Sequence, residues 1–430
     1  MHAHPYNNSK RKQMNQNVFL RAVLYLSRDG RSVMVLLGFI VVVALLSSNR
    51  LHDDAVALRR DGGNVRGSRM VSGRHYINFG GAVHAGYFSV EGSIIPTASS
   101  SVRKFNFAAV TDLDQLSRMQ GDKLKFYSWL QPGILTSHDH GKSYSIEFSE
   151  DVRKLVGGHN EAGRGMELSE LTLYQNRLLA FDDRTGDVFE LLNKDSGATT
   201  FVVPRFVITE GNGETDKGMK WEWATVKGED LYIGSMGKEY TREDGSIANT
   251  NNLWIAVISP RGEVIHIDWE QQYSFVRKQL GASPPGYCIH EAVLWSEHQQ
   301  KWMFLPRRIS SDAYDENVDE RKGSNKLLWV DDTFSKSNVV DIKMATVDPL
   351  HGFSTVAFVP GTEDKHAFAL RSVEEDCVGG EESVCKQRTY AIVFNTITGE
   401  VLMDEVKLPK EVKFEGLEFV NILTSEVATS

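Results

Sequence analysis

The stretch Gly163-Arg164-Gly165-Met166-Glu167-Leu168-Ser169-Glu170-Leu171-Thr172-Leu173-Tyr174-Gln175-Asn176-Arg177-Leu178-Leu179-Ala180-Phe181-Asp182-Asp183-Arg184-Thr185-Gly186 decides the fold. Leu171–Tyr174 and Leu178–Phe181 are short apolar runs on either side of a polar turn at Asn176, the pattern of a β-hairpin. The hairpin enters and leaves a rim that holds Arg164, Arg184, Ser169 and the carboxylates of Glu167, Glu170, Asp182 and Asp183. The planar fork of arginine fits phosphate oxygens, and carboxylates hold a hard cation such as Ca²⁺. These residue types together suit a metal-bound phosphoanhydride.

Runs of the same kind recur on both sides of this hairpin. Phe107–Val110, Trp129–Leu130 and Gly133–Thr136 precede it. Leu231–Gly234, Leu253–Ile258 and Val264–Ile267 follow, the last two separated by a Pro260-Arg261-Gly262 turn. Ala292–Trp295, Lys301–Leu305, Val356–Val359, Ala367–Leu370 and Tyr390–Phe394 complete the series. One helix is expected, over about Asp268 to Leu280. The chain therefore reads as all-β with many hairpins. A propeller of four-stranded blades fits this pattern, and residues 105–430 have the length for five blades. A β-sandwich or two small barrels fit the strands equally well. Ser169, Glu222, Glu291, Ser354 and Glu415 each stand where an apolar run begins or ends. They lie 53, 69, 63 and 61 residues apart, close to one blade each.

The 430 residues carry a net charge of −9, which argues against nucleic acid as a partner. Lys10, Arg11, Lys12, Arg21, Arg28 and Arg31 outweigh Asp29 ahead of the charge-free apolar run Ser32–Leu46, which Ser47 and Ser48 extend. Basic residues on that side predict a cytoplasmic tail (1–31), a transmembrane signal anchor (32–48) and the remainder across the membrane. A cleaved signal peptide is the alternative. Residues 49–104, rich in Gly, Ser, Arg and Asp, read as a stem, with local strands at His75–Phe79 and Tyr87–Val90. Cys377 and Cys385 bracket a turn-like segment and are either a small disulfide loop or two free thiols; Cys288, in an apolar run, is expected to be a buried thiol.

From residue 105 onward the chain resembles the calcium-activated nucleotidase (apyrase) family. The resemblance is carried by Thr111-Asp112-Leu113-Asp114, Gly163–Ser169, Asp182–Gly186, Lys217–Trp223 and Gly237–Thr241. Pro284–Glu291, Phe304–Arg308, His351–Ser354 and Phe414–Phe419 extend it to the end of the series. It implies a five-bladed β-propeller with Ca²⁺ in its central cavity, ligated once per blade by Ser169, Glu222, Glu291, Ser354 and Glu415, the serines through backbone carbonyls. Met219, Tyr240 and Thr355 depart mildly from the family pattern, and the Cys377–Cys385 insert is peripheral to the motifs.

For catalysis the resemblance points to Asp114, Glu167, Asp183, Arg164 and Arg184. The arginines would clamp phosphate, and one carboxylate would position or deprotonate the attacking water. Pairing within the hairpin is the competing role for Asp182 and Arg184. His290 and His351 are read as core residues sooner than phosphate ligands, and Trp221, Trp223 and Tyr287 as core sooner than base-stacking residues. Arg307 and Arg308 either line the cavity or pair with the acidic run Asp315–Glu320. The implied activity is Ca²⁺-dependent hydrolysis of nucleoside diphosphates such as UDP and GDP, and of triphosphates, in the lumen of the ER or Golgi, or outside the cell after cleavage. A homodimer is compatible with it. The alternatives are a non-catalytic Ca²⁺-binding propeller and a propeller glycosidase; the arginine motifs speak against the second.

Overall fold

In the computed structural model the Leu168–Tyr174 strand pairs antiparallel with Arg177–Asp182, with Tyr174 opposite Arg177. Gln175 and Asn176 both take left-handed backbone angles (φ 51° and 60°), which defines the two-residue turn expected at this position. The structure describes residues 88–122, 124–194, 199–242, 246–377 and 385–422. Contacts divide the chain into Met1–Tyr76 and Ile77–Ser430, and every described residue belongs to the second unit. The apolar run at 32–48 and the strand expected at His75–Phe79 lie outside the described residues. Among the described residues no helix is long and apolar enough to cross a membrane.

The hairpin grows into a four-stranded sheet by adding Asp187–Lys194 and Thr199–Val207, and three more sheets of the same order follow. Their innermost strands are Trp223–Lys227, Tyr287–Ser296 and Gly352–Phe358. The fifth sheet joins the two ends of the described chain. The late strand Lys413–Glu418 pairs with Arg103–Asp112, which pairs with Phe126–His138. That long strand carries Ser143–Phe148 and Arg153–Gly157 end to end on its outer edge. Each innermost strand packs against the innermost strands on either side, so the ring closes. This is a five-bladed β-propeller.

Five hydrophobic clusters occupy the five seams between blades. Phe181, Trp221 and Ile233 fill the seam between the first two sheets, and Trp223, Trp269, Trp295 and Trp302 fill the next. Met303 with Phe394 and Phe107 with Phe368 occupy two more. Val110 and Leu171 lie in the seam beside the closing blade. Alternate residues of one strand serve opposite seams: Phe105, Phe107 and Ala109 face one, and Ala108 and Val110 the other. Blades buried on both faces explain why the inner strands read as nearly continuous apolar runs.

The predicted helix forms over Glu270–Gln279 and buries Tyr273 and Val276. Trp129–Leu130 and Gly133–Thr136 belong to one strand, because Pro132 sits within the ladder opposite Ala108. Of the strand expected at Tyr87–Val90, the described residues 88–90 are not in a strand. Ser89 caps a one-turn helix over Val90–Ser93 by accepting the Gly92 N–H, as serine does well at that position. Phe88 is buried in the closing seam, so propeller structure begins ahead of residue 105.

The two faces of the ring differ. On one, neighbouring strands are joined by tight turns such as Gln175-Asn176 and Gly228-Glu229. On the other stand long segments, among them 113–125, 158–167, 208–222, 235–253 and 269–286. Loops on a rigid scaffold are where binding and catalytic groups concentrate, and the polar cluster lies on this second face.

Candidate active site and cation cavity

Ser169, Glu222, Glu291, Ser354 and Glu415 all stand at the loop-bearing end of an innermost strand, and all are buried. Each also marks an irregularity in its ladder. Pairing passes from Leu168↔Asp182 to Glu170↔Phe181, leaving Ser169 unpaired. Ser354 is passed over between Phe353↔Arg371 and Thr355↔Leu370, and Glu415 between Phe414↔Thr111 and Gly416↔Val110. Glu291 is passed over between His290↔Pro306 and Ala292↔Leu305. Glu222 gives its N–H to the Gly234 carbonyl (2.9 Å), although Trp223 already faces Gly234. A bulge re-aims a side chain and frees backbone groups from the ladder. Four bulges at equivalent places, with Glu222 at the matching position just ahead of its strand, set five residues at corresponding strand ends. The Ser169 and Ser354 hydroxyls donate to the carbonyls of Trp221 (2.7 Å) and Phe414 (3.0 Å) in the adjoining seams, so these serines turn their hydroxyls away from the role of ligand.

Four cations interleave with the acids. The Arg307 guanidinium reaches Glu291 (2.5 Å), Glu415 (2.9 Å) and Glu374 (2.5 Å). Lys413 reaches Asp112 (2.6 Å), Glu374 (3.2 Å), Asp114 (3.3 Å) and Glu415 (3.7 Å). Lys220 contacts Asp183 and lies 3.2 Å from Glu222. Arg164 forks onto Glu167 (2.9 and 2.5 Å) and reaches Asp114 at 3.5 Å.

Eight carboxylates thus face four cations, and the excess negative charge appears in the acidities. Burial, reinforced by Asp183 and Asp112, pushes Glu167 up to about 9 against the pull of Arg164. Burial holds Glu222 and Glu415 well above the usual carboxylate range, even beside Lys220 and Lys413. Glu374 is the exception: burial raises it, but Lys413, Arg307 and Arg308 outweigh that and hold it at about 2. Asp112, Asp114 and Glu167 bring three carboxylate oxygens within 4.8 Å of one another, and Asp183 Oδ1 is buried without a hydrogen-bond partner. A compact, oxygen-only, under-neutralised donor set is what a hard divalent cation requires, so the residues present fit Ca²⁺.

The sequence-predicted catalytic residues gather on the same rim. Asp114 opens a short 3₁₀ turn with φ 47°, a backbone state that costs energy and recurs at functional sites. Asp114, Glu167 and Asp183 are all buried, whereas Arg164 is about a quarter exposed and faces the opening. Arg184 stands further out, paired with Glu161 at 3.0 Å. Asp182 accepts the N–H groups of Arg184 and Thr185 (2.9 Å each), a role that locks the turn.

Several weaker readings separate here. Arg307 lines the cavity, whereas Arg308 turns to Asp319 of the acidic run at 3.7 Å. His290 is fully buried and stacked on Tyr273, and His351 pairs with Glu405 and stacks on Tyr390. Trp221, Trp223 and Tyr287 are buried core. Cys288 is a buried free thiol. Cys377 and Cys385 are bonded, and their hairpin is not peripheral: Glu374 and Gln387, at its root, both reach the cluster. Sequence reasoning passed over Lys220, Lys413 and Glu374. A signal for the lysines exists, because Lys220-Trp221-Glu222 and Lys413-Phe414-Glu415 set a lysine two residues before two of the three ring glutamates.

A propeller with a buried acidic ring and an arginine-bearing rim defines a scaffold with the donors to hold a hard cation beside an anionic group. The apyrase family profile matches residues 113–420. The soluble calcium-activated nucleotidase 1 of Mus musculus is 39% identical over 317 residues, 74% of each chain. The apyrase of Cimex lectularius is 36% identical over 74% of this chain and 83% of its own. Apyrase apy-1 of Caenorhabditis elegans is 35% identical over 78% of this chain and 88% of its own. The chain belongs to the apyrase family.

Proposed function

We propose that this protein is a Ca²⁺-dependent nucleotidase that hydrolyses the terminal phosphoanhydride bond of nucleoside diphosphates such as UDP and GDP, and of triphosphates. The observation that carries the reading is the ring of five strand ends, four of them bulged, whose acids are under-neutralised, beside the Arg164 fork on the open rim. Ser169, Glu222, Glu291, Ser354 and Glu415 would hold Ca²⁺. Bound there, the ion supplies charge neutralisation for phosphate oxygens.

The chain's own residues supply the rest. Arg164 exchanges its Glu167 partner for phosphate oxygens, with Arg184 assisting from the outer rim. Asp114 shares the Arg164 guanidinium, so a phosphate held there lies beside it. It orients the attacking water in line with the leaving oxygen and takes its proton. Glu167, with its acidity pushed up to about 9, is a poor acceptor in the cation-free chain.

The test is phosphate release by the full-length protein from UDP, GDP, ADP and UTP, with Ca²⁺ and with a chelator. Calcium-dependent release is the expected result. Tight nucleotide binding without release would replace the reading with a non-catalytic binding propeller.

The location belongs to the same proposal. The basic leader ahead of residues 32–48 supports a type II anchor with the propeller in the ER or Golgi lumen, and the Cys377–Cys385 disulfide fits an oxidising compartment. Protease protection in sealed vesicles tests it: a propeller digested without detergent refutes the lumenal orientation. A homodimer remains part of the proposal, and sedimentation of the purified protein decides it.

A further inference from the structure

Glu374 and Gln387 face each other across one rung of the fourth blade, and the next rung, Glu375↔Lys386, is the last of that ladder. Beyond it the Cys377–Cys385 disulfide closes the hairpin. The rung below the closure reaches the centre of the site. Glu374 lies 2.5 Å from Arg307 and 3.2 Å from Lys413. Gln387 is buried and donates from Nε2 to Asp114 Oδ2 at 3.3 Å. Asp114 sits on another blade, with a left-handed backbone, and this amide reaches its carboxylate from the fourth blade.

From this placement we infer that Gln387 is a positioning residue for Asp114, and that the Cys377–Cys385 bond holds it there, so that breaking the bond lowers turnover. The inference rests on the proposed nucleotidase reading and deepens it. The physical case has two parts. The amide fixes a carboxylate that must be aimed at a water, and a hydrogen bond to a charged group is among the stronger ones a protein makes. Its strand end has little else to hold it. Glu375 and Lys386 are partly or fully exposed, and the ladder stops there, so the covalent closure limits fraying only two residues from Gln387. Cys377 is exposed, so a reductant can reach the bond. Reduction by a dithiol moves two electrons and two protons to the protein: the Sγ–Sγ bond breaks, two protein thiols form, and the dithiol leaves as its own disulfide.

The experiment measures kcat and KM of the full-length protein on UDP with saturating Ca²⁺, oxidised and after dithiol treatment. Gln387→Leu is expected to lower kcat about tenfold, the worth of one charged hydrogen bond, with KM within about twofold. Gln387→Glu keeps the shape but cannot donate, and is expected to fall at least as far. A purely structural role predicts instead that the isosteric glutamate is the milder change. Reduction should lower the wild-type kcat severalfold and reversibly, and should leave Gln387→Leu unchanged, because both act through one contact. The Cys377→Ser/Cys385→Ser double variant should be insensitive to the dithiol and sit near the reduced wild-type level. Full activity of Gln387→Leu overturns the positioning role, and a wild-type kcat indifferent to complete reduction overturns the redox link. An inactive oxidised wild type would overturn the nucleotidase reading itself.

Discussion

Replacing Arg307 by methionine separates the two agents that neutralise the central acids. Arg307 is 5% exposed and contacts Glu291 and Glu415, two of the proposed Ca²⁺ ligands, together with Glu374. Methionine fills most of the volume but leaves three carboxylates facing one another. Removing one partner of a buried ion pair costs about 3–5 kcal/mol. In a chelator the variant should lose stability of that order, at the low end because Glu291 and Glu415 are already inclined to take up protons. With millimolar Ca²⁺ the ion supplies the missing positive charge, and the loss should shrink by at least about 1.4 kcal/mol. By linkage the same figure is about a tenfold tighter Ca²⁺ affinity in the variant. Urea unfolding of both proteins in both media, with Ca²⁺ titration as an independent check, gives the four stabilities required. An equal loss with and without Ca²⁺, and an unchanged affinity, would refute the placement of the cation between Glu291 and Glu415.

Asp114→Asn should lower kcat about 10²–10⁴-fold in protein that still shows a cooperative urea transition; near-normal turnover would remove Asp114 from the chemistry. Arg164→Lys keeps the charge but loses the fork, so kcat/KM for UDP should fall at least about tenfold, and a variant as active as the parent would show that Arg164 does not grip phosphate. Glu167, raised from 4.5 to about 9, carries a proton in the folded chain that the unfolded chain releases. Its contribution is complete below about pH 4.5 and is lost as pH rises through 9, so stability in a chelator should decline over that window by up to about 1.4 kcal/mol per unit. Glu167→Gln should flatten the decline, and an identical slope in the variant would discount this group. Gly416→Ala would set a Cβ 2.6 Å from Val110 Cγ2 and 2.6 and 2.7 Å from backbone atoms of Glu170 and Leu171. Forcing the closing strand outward should cost about 1–3 kcal/mol and weaken Ca²⁺ binding through Glu415, and calorimetry showing neither change would contradict the tight closure.

What the sequence reveals follows burial. Inner and middle strands such as Leu178–Phe181 and Tyr390–Phe394 are buried on both faces and stand out as apolar runs. The outermost strands, Thr199–Val207, Ser337–Asp341 and Val401–Lys407, have exposed polar positions and give no such signal. The ring of polar residues was picked out by the family resemblance, which selects five residues spaced close to one blade apart. Its neutralising partners were not, because ion pairing across the channel joins residues far apart in sequence: Arg307 meets Glu415 across 108 positions, and Gln387 meets Asp114 across 273. The contact of Gln387, just beyond the Cys377–Cys385 insert, with Asp114 stayed hidden for the same reason.

The bulges explain how strands, which normally direct alternate side chains into the two seams, come to furnish a channel. A regular innermost strand would carry Glu291 and Glu415 within the ladder and point each into a seam of apolar side chains, where an unpaired carboxylate is costly. One unpaired residue in each of four blades breaks the alternation at the loop-bearing end, while the rest of each strand stays in register with its seam. The polar residue therefore recurs once per blade at nearly constant spacing, and the apolar run restarts immediately after it. The same device limits the ring's stability without a cation. Five strand ends converge, three of them glutamates, and Arg307, Lys413 and Lys220 cover only part of their charge. In the proposed reading a divalent ion at the convergence would complete the neutralisation that the chain's own cations begin, and the integrity of the channel would then depend on the same ion as turnover.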